Sequence, residues 1–145
     1  MKISTKGRYA LRMLADLAEH QDDGFVALKD IAQRQDVSKK YLEQIVPILS
    51  RGGILRAGRG YQGGYRLSKQ PAEITVGQVL RLTEGSLAPV SCAEQHTPDC
   101  SRSALCPTLP VWQGLYKTIT DYLDGITLQD VLDQQRERNA DNYVI

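Results

Sequence analysis

Apolar residues return every three or four positions along much of the chain, and where that rhythm changes the expected element changes with it. Tyr9, Ala10, Met13, Leu14, Leu17 and Ala18 form a first stripe, with Arg8, Arg12, Asp16 and Glu19 between them. This spacing predicts an amphipathic helix over residues 6–20, capped by Thr5, with its polar positions turned to water or phosphate. Leu28, Ile31 and Ala32 predict a second, brief helix over 28–34, and Gln35-Asp36-Val37 reads as a tight turn. Ser38 then caps a third helix, in which Leu42, Ile45, Val46 and Leu49 follow the i, i+3, i+4, i+7 spacing of one buried face. The opposite face carries Lys39, Lys40, Tyr41, Glu43 and Gln44. Two short helices joined by such a turn, the second bearing the polar face, predict a helix-turn-helix. The turn has no glycine, and Pro47, which lacks a backbone donor, is expected to kink the third helix or end it early.

After the third helix the pattern shortens to that of strands. Two are predicted, over 54–56 and 65–67, around the basic, glycine-rich tip Gly58-Arg59-Gly60-Tyr61-Gln62-Gly63-Gly64. Phe25-Val26-Ala27 is an extended piece placed to pair with this hairpin. Thr75 and Gln78 fit a capping box for a helix over 75–84, which packs Val76, Val79, Leu80 and Leu82 on the preceding unit. From 85 to 110 periodicity is lost, and a loop of this length in a compact chain is usually functional or disordered. Val111, Leu115, Ile119, Tyr122 and Leu123, with Trp112 and Tyr116 beside them, predict a strong amphipathic helix over 111–123. Gly125 stops it, and Thr127 caps a last helix over 128–138 with Leu128, Val131 and Leu132 on one face. These two helices have no large domain of their own to cover them, so a two-fold partner is expected to bury the stripe. The tail, 139–145, is expected to be loose. The fold class is therefore mainly α with a small β wing. A winged helix-turn-helix unit (1–84) is followed by a cysteine-bearing loop (85–110) and dimerisation helices (111–138).

Charge sharpens this division. The 145 residues carry a net +1, but residues 1–70 hold 13 Lys+Arg against 7 Asp+Glu, and residues 71–145 hold 5 against 10. The basic half, which is also the half with the helix–hairpin pattern, suits a polyanion. No apolar run approaches the roughly 20 residues that cross a bilayer. The opening MKISTKGRYA lacks an apolar core of signal-peptide kind, so a cytoplasmic protein is expected. The cysteines are three, Cys92, Cys100 and Cys106. An odd number in a cytoplasmic chain points to metal binding or redox chemistry rather than a disulfide framework. With no CxxC pair they do not form a zinc ribbon. They suit an iron–sulphur cluster that takes a fourth ligand from elsewhere, or three free thiols acting as a redox sensor. No HxxE-type motif and no Cys–His–acid arrangement is evident, so the chain is not expected to be an enzyme.

Four stretches carry a resemblance: MKISTKGRYALRMLADLA, IAQRQDVSKKYLEQI, GRGYQGGYRLS and ITVGQVLRLTEG. Up to about Asp133 the chain resembles the IscR-type winged helix-turn-helix family of bacterial transcriptional regulators, to which CymR-like and NsrR-like proteins are related. The resemblance implies a homodimer on double-stranded, pseudo-palindromic DNA, with the helix over 111–123 at the dimer interface. It places Ser38, Lys39, Lys40, Tyr41, Glu43 and Gln44 at the major groove. There Gln44 suits adenine and Glu43 the cytosine amino group, while the two lysines suit phosphate. Arg59 suits a narrow minor groove, and Thr5, Lys6, Arg8 and Arg51 suit the phosphate backbone. It also implies a cluster of 2Fe–2S type on Cys92, Cys100 and Cys106, whose status a repressor of cluster-biogenesis genes would sense. The chain departs from the family pattern in a longer first cysteine gap and in Leu109, which stands where a histidine ligand is expected. His96, Asp99, Glu94, a residue of the other subunit or a small exogenous thiol is left as fourth ligand. The family offers other readings too: a cysteine-metabolism repressor of CymR kind, without a cluster and working through a protein partner, or a sensor of nitric oxide or redox state.

Overall fold

The computed structural model of the chain describes residues 2–94 and 100–143. Its first helix, α1 (Thr5–Glu19), is capped by Ser4 and not by the expected Thr5. Ser4 Oγ accepts from the Gly7 amide at 3.1 Å, and its own amide and hydroxyl donate to the Glu84 carboxylate at 2.8 and 2.7 Å. The cap is thus fixed by a residue 80 positions away. The apolar stripe is buried as its spacing predicts, from Ala10 to Ala18.

Asp16 corrects the expectation of a wet polar face, being only 2% exposed. Its two oxygens receive the Arg34 guanidinium at 2.7 and 2.9 Å and the Gln35 amide at 3.0 Å. This fork ties α1 to α2 (Leu28–Gln35), whose Leu28, Ile31 and Ala32 are buried as expected. The turn after α2 manages without glycine because Asp36 adopts the left-handed conformation, φ 51°. Asx residues reach that region at modest steric cost. Val37 N–H donates to the Ala32 carbonyl and Asp36 N–H to that of Gln33, which closes the helix in the Schellman manner.

Ser38 caps α3 (Lys39–Arg51) through a 3.3 Å bond from the Tyr41 amide. Pro47 does not end this helix, which runs on to Arg51. The proline lies on the exposed side, where water can serve the carbonyl that it leaves unbonded. The wing is β1 (Leu55–Gly58) paired antiparallel with β2 (Gly64–Leu67), Leu55 opposite Leu67 and Arg56 opposite Arg66. The expected pairing of the 25–27 segment is present, since Val26 and Tyr65 exchange both backbone bonds at 2.8 and 2.9 Å.

The helix α4 (Val76–Glu84) has the capping box read from Thr75 and Gln78. After the loop come α5 (Leu109–Asp124) and α6 (Leu128–Tyr143). One core joins α1, α2, α3 and the wing, and Leu128 and Leu132 of α6 belong to it, 0% and 2% exposed. The expectation that α6 waits for a partner is therefore corrected, since α1 covers its stripe. Residues 139–143, expected to be loose, continue the helix. A smaller cluster of Val76, Leu80 and Leu87 receives Tyr116, Ile119 and Leu123 of α5. The rest of the stripe read from α5 is left outside, with Val111, Leu115 and Tyr122 exposed. Among the described residues no helix is long and apolar enough to cross a membrane.

Candidate nucleic-acid interface and cysteine loop

With Leu42, Ile45, Val46 and Leu49 buried, the remaining side of α3 is fixed towards solvent. Ser38, Lys39, Lys40, Glu43 and Gln44 are all exposed there. Lys39 and Glu43 lie 3.9 Å apart as an i, i+4 pair, both more than half exposed, an interaction weak enough to be exchanged for a ligand. Tyr41 is half-buried and sets its ring edge-on to Tyr9, centroids 5.4 Å apart. At the start of α1 the Arg8 guanidinium donates to the Thr5 hydroxyl at 3.0 Å, both residues exposed, while Lys6 is half-buried. Arg51 is exposed at the end of α3, and Arg59 is exposed just beyond β1.

Arg12, read from the sequence only as turned to water or phosphate, joins the basic surface together with Arg56 and Arg66, which the sequence reading left out. Arg12 sits over the Tyr9 ring, 5.3 Å from its centroid, and donates to the Gln35 backbone carbonyl. A cation is thereby held beside the Tyr9–Tyr41 pair that braces the start of α3. Its signal was the i, i+3 spacing from Tyr9. Arg56 and Arg66 are directly paired across the wing, an arrangement of like charges that costs stability on its own. Arg66 rests over Phe25, 5.6 Å from the ring centroid. Both arginines line a groove of about 420 Å³ with Lys69, and Asp22 and Glu73 line it too, so the wing's charge is partly balanced from within.

The cysteine loop enters and leaves on short turns. Cys92 is half-buried in a single helical turn over Ser91–Ala93, Cys100 is exposed, and Cys106 is half-buried ahead of α5; all three are free thiols. Cys106 Sγ lies 3.4 Å from the Thr108 hydroxyl, and that hydrogen bond, helped by the Thr108 and Leu109 backbone, holds its thiol below the usual range. Among the described residues no three His, Cys, Asp or Glu side chains gather into a metal-holding group. The structure thus does not bring the three sulphurs together. His96 and Asp99 lie outside the described residues, and Glu94 accepts from the Ser86 hydroxyl. Leu109, in the first turn of α5, has no donor to offer. The donor chemistry suits iron all the same: soft, unpaired thiols, one already biased towards the thiolate that metal binding needs.

Polar contacts connect this half of the molecule to the basic half. Arg81 of α4 holds Asp124 of α5 in a two-pronged pair, 2.8 Å for each bond, which lowers the Asp124 carboxyl below its ordinary range. Three residues on, Glu84 binds Ser4, next to Thr5. Leu82, on the same helix, packs so close to Gly52 at the end of α3 that a Cβ there would come within 2.4 Å of it.

The comparisons with known proteins agree with this architecture. A family model described as "Rrf2: Iron-dependent Transcriptional regulator" matches residues 3–134. The protein named rrf2 of Nitratidesulfovibrio vulgaris is 40% identical over 132 residues, which cover 91% of this chain and 87% of that one. The structure of CymR (YrzC), the global cysteine regulator of B. subtilis, superimposes with a TM-score of 0.77 at 35% identity, covering 92% of this chain and 98% of that one. The structure of T. potens IscR also gives 0.77, at 39% identity over 95% of this chain and 90% of the other.

Proposed function

The chain belongs to the Rrf2 family of transcriptional regulators, and on that premise we propose that it is a homodimeric repressor whose DNA affinity follows iron–sulphur cluster status, controlling cluster-biogenesis genes. The observation that carries the DNA-binding part is the capped helix α3, its apolar side locked in the core and its polar side facing solvent, beside a braced wing. Ser38, Glu43 and Gln44 read base edges. Lys39, Lys40, Thr5, Lys6, Arg8 and Arg51 grip phosphates, Arg59 enters the minor groove, and Tyr41 positions the start of α3 through Tyr9. Residues 1–84 form the reading unit, 85–110 the sensing loop, and α5 the pairing element within 111–138.

Cys92, Cys100 and Cys106 would hold the cluster, of 2Fe–2S type, together with a fourth ligand. When bound, it would supply an iron- and redox-dependent charge. The chain's own residues carry the signal onward. Drawing the three sulphurs together would reset α5, the Arg81–Asp124 fork would pass that setting to α4, and Glu84 and Leu82 would pass it to the ends of α1 and α3. The spacing of the two recognition helices in the dimer, and with it the affinity for the operator, shifts accordingly. A second reading, a CymR-like regulator of cysteine metabolism without a cluster, is favoured by the ungathered sulphurs and by the CymR likeness. Thiol-redox sensing on the same scaffold would use the free thiols directly, whereas nitric-oxide sensing would again act through a cluster.

Anaerobic purification separates these readings. Wild type should carry iron and sulphide near stoichiometry with visible absorption, and Cys100→Ala should lose them while remaining folded. Operator affinity should then differ between the two. Colourless, iron-free wild type, with affinity unchanged when all three cysteines are replaced by alanine, would sink the cluster reading and leave the DNA-binding one standing.

A further inference from the structure

The apex of the wing presents Tyr61, the one aromatic side chain at that turn and one that no intramolecular contact explains. It is 103% exposed, more than any other large apolar residue described. The backbone beneath it is firmly set. Gly63 N–H donates to the Gly60 carbonyl at 3.0 Å, closing a four-residue turn with Tyr61 and Gln62 in the central positions. Gly60 takes φ 94°, and a Cβ on Gly63 would lie 2.6 Å from the Gly58 carbonyl oxygen, so the turn admits few other shapes. Lower down, the wing is braced by the Val26–Tyr65 bonds and by Phe25, which lies so close to Gly58 that a Cβ there would come within 2.7 Å of its ring. A rigid mount, an unsupported aromatic ring and an exposed arginine two residues earlier make a tool for something outside the fold.

We infer that Tyr61 is a specificity-determining residue that enters the DNA minor groove beside Arg59 and favours A·T pairs there. This rests on the DNA-binding reading and adds a base preference to it. The minor groove is about 6 Å wide, narrow enough for a flat ring to pack between its sugar walls but not for a helix. Its floor offers only acceptors at A·T pairs, adenine N3 and thymine O2, to which a phenol hydroxyl can donate. At G·C the guanine N2 amino group rises from the floor and stands where the ring edge would lie. Arg59 reads groove width and potential; Tyr61, being neutral, reads the floor.

The test uses the full-length chain and duplexes that wild type selects from random sequence. At the pair under the wing, located by hydroxyl-radical footprinting, A·T, G·C and inosine·C are compared by fluorescence anisotropy. Wild type should bind A·T about five- to tenfold more tightly than G·C, and inosine, which lacks the N2 amino group, should restore most of the difference. Tyr61→Ala should abolish the preference with an unchanged salt slope and an unchanged unfolding midpoint, and Tyr61→Phe should retain part of the affinity with a reduced preference. Arg59→Ala, by contrast, should lower the salt slope by about one. The inference is overturned if Tyr61→Ala keeps the wild-type A·T to G·C ratio, or if Tyr61→Phe keeps it in full. It falls together with the DNA-binding reading if wild type selects no duplex at all.

Discussion

Asp16 shows how one side chain can reverse its expected role. Its place among polar neighbours on α1 suggests solvent, yet Arg34 and Gln35 of the next helix converge on it, and His20 Nδ1 stands 3.7 Å from the same carboxylate. Nothing local encodes that meeting, because it depends on how α1 crosses α2. Asp16→Ala should lower stability by about 2–3 kcal/mol, read as a shift in the urea midpoint. That is below the roughly 3–5 kcal/mol of a broken buried pair, because the Arg34 side chain is 37% exposed and regains water. A midpoint within experimental error of wild type would show the fork to be dispensable for joining the two helices. Glu43 on α3, by contrast, is more than half exposed and paired with Lys39. Its replacement by alanine should leave the fold intact and change which base is tolerated at one half-site position, by about 1–3 kcal/mol against the preferred base. Uniform weakening on every sequence would remove it from the base readers.

Among the elements, α4 joins three others: a fork to α5, a carboxylate on the cap of α1 and a leucine against the end of α3. The Arg81–Asp124 pair predicts a pH dependence of definite sign. Because the folded Asp124 carboxyl titrates below its ordinary range, its stabilisation is present above the unfolded pKa, about 4. It is lost as pH falls through the lower folded value. Wild type should therefore exceed Asp124→Asn in stability at neutral pH by less than about 1 kcal/mol, since both partners are more than a third exposed. The gap should close on acidification, and urea midpoints that stay equally far apart at low pH would contradict this. The helices themselves were legible, because period and caps are local: Ser38, Thr75 and the stripes of α1, α2 and α3 stand where the pattern put them. What a stripe packs against was not. The Leu128–Leu132 face and the Leu115–Tyr122 face read alike in sequence, yet α1 covers the first and nothing described covers the second. The turn at Asp36 was legible as a turn but not as a left-handed aspartate, and the spacing of three cysteines carries no information on whether their sulphurs meet.

At the scale of the whole molecule, a basic reading half and an acidic half are joined through α4, and the acidic half keeps one apolar surface open. On α5, Val111, Leu115 and Tyr122 are 58%, 42% and 67% exposed, on the flank next to the one that Tyr116, Ile119 and Leu123 pack against the smaller cluster. Recurring at i, i+4 and i+11, they form one continuous stripe, the form that an isologous two-fold contact takes when a helix meets its own copy. Leu115→Glu places a charge at the middle of that stripe without touching either core cluster. The variant should keep its helical content but run as a monomer in size-exclusion chromatography with light scattering, where wild type runs as a dimer. In such a dimer pairing would also govern DNA affinity, because a second half-site reached within one dimer is met at a local concentration of order millimolar. A monomer should therefore bind a single half-site as well as wild type does, and lose about 10²- to 10⁴-fold on the two-half-site duplex. If Leu115→Glu remains a dimer with full operator affinity, the two-fold contact lies elsewhere. The path from the cysteine loop through α5 and Arg81–Asp124 would then lose the end that makes it act on two recognition helices at once.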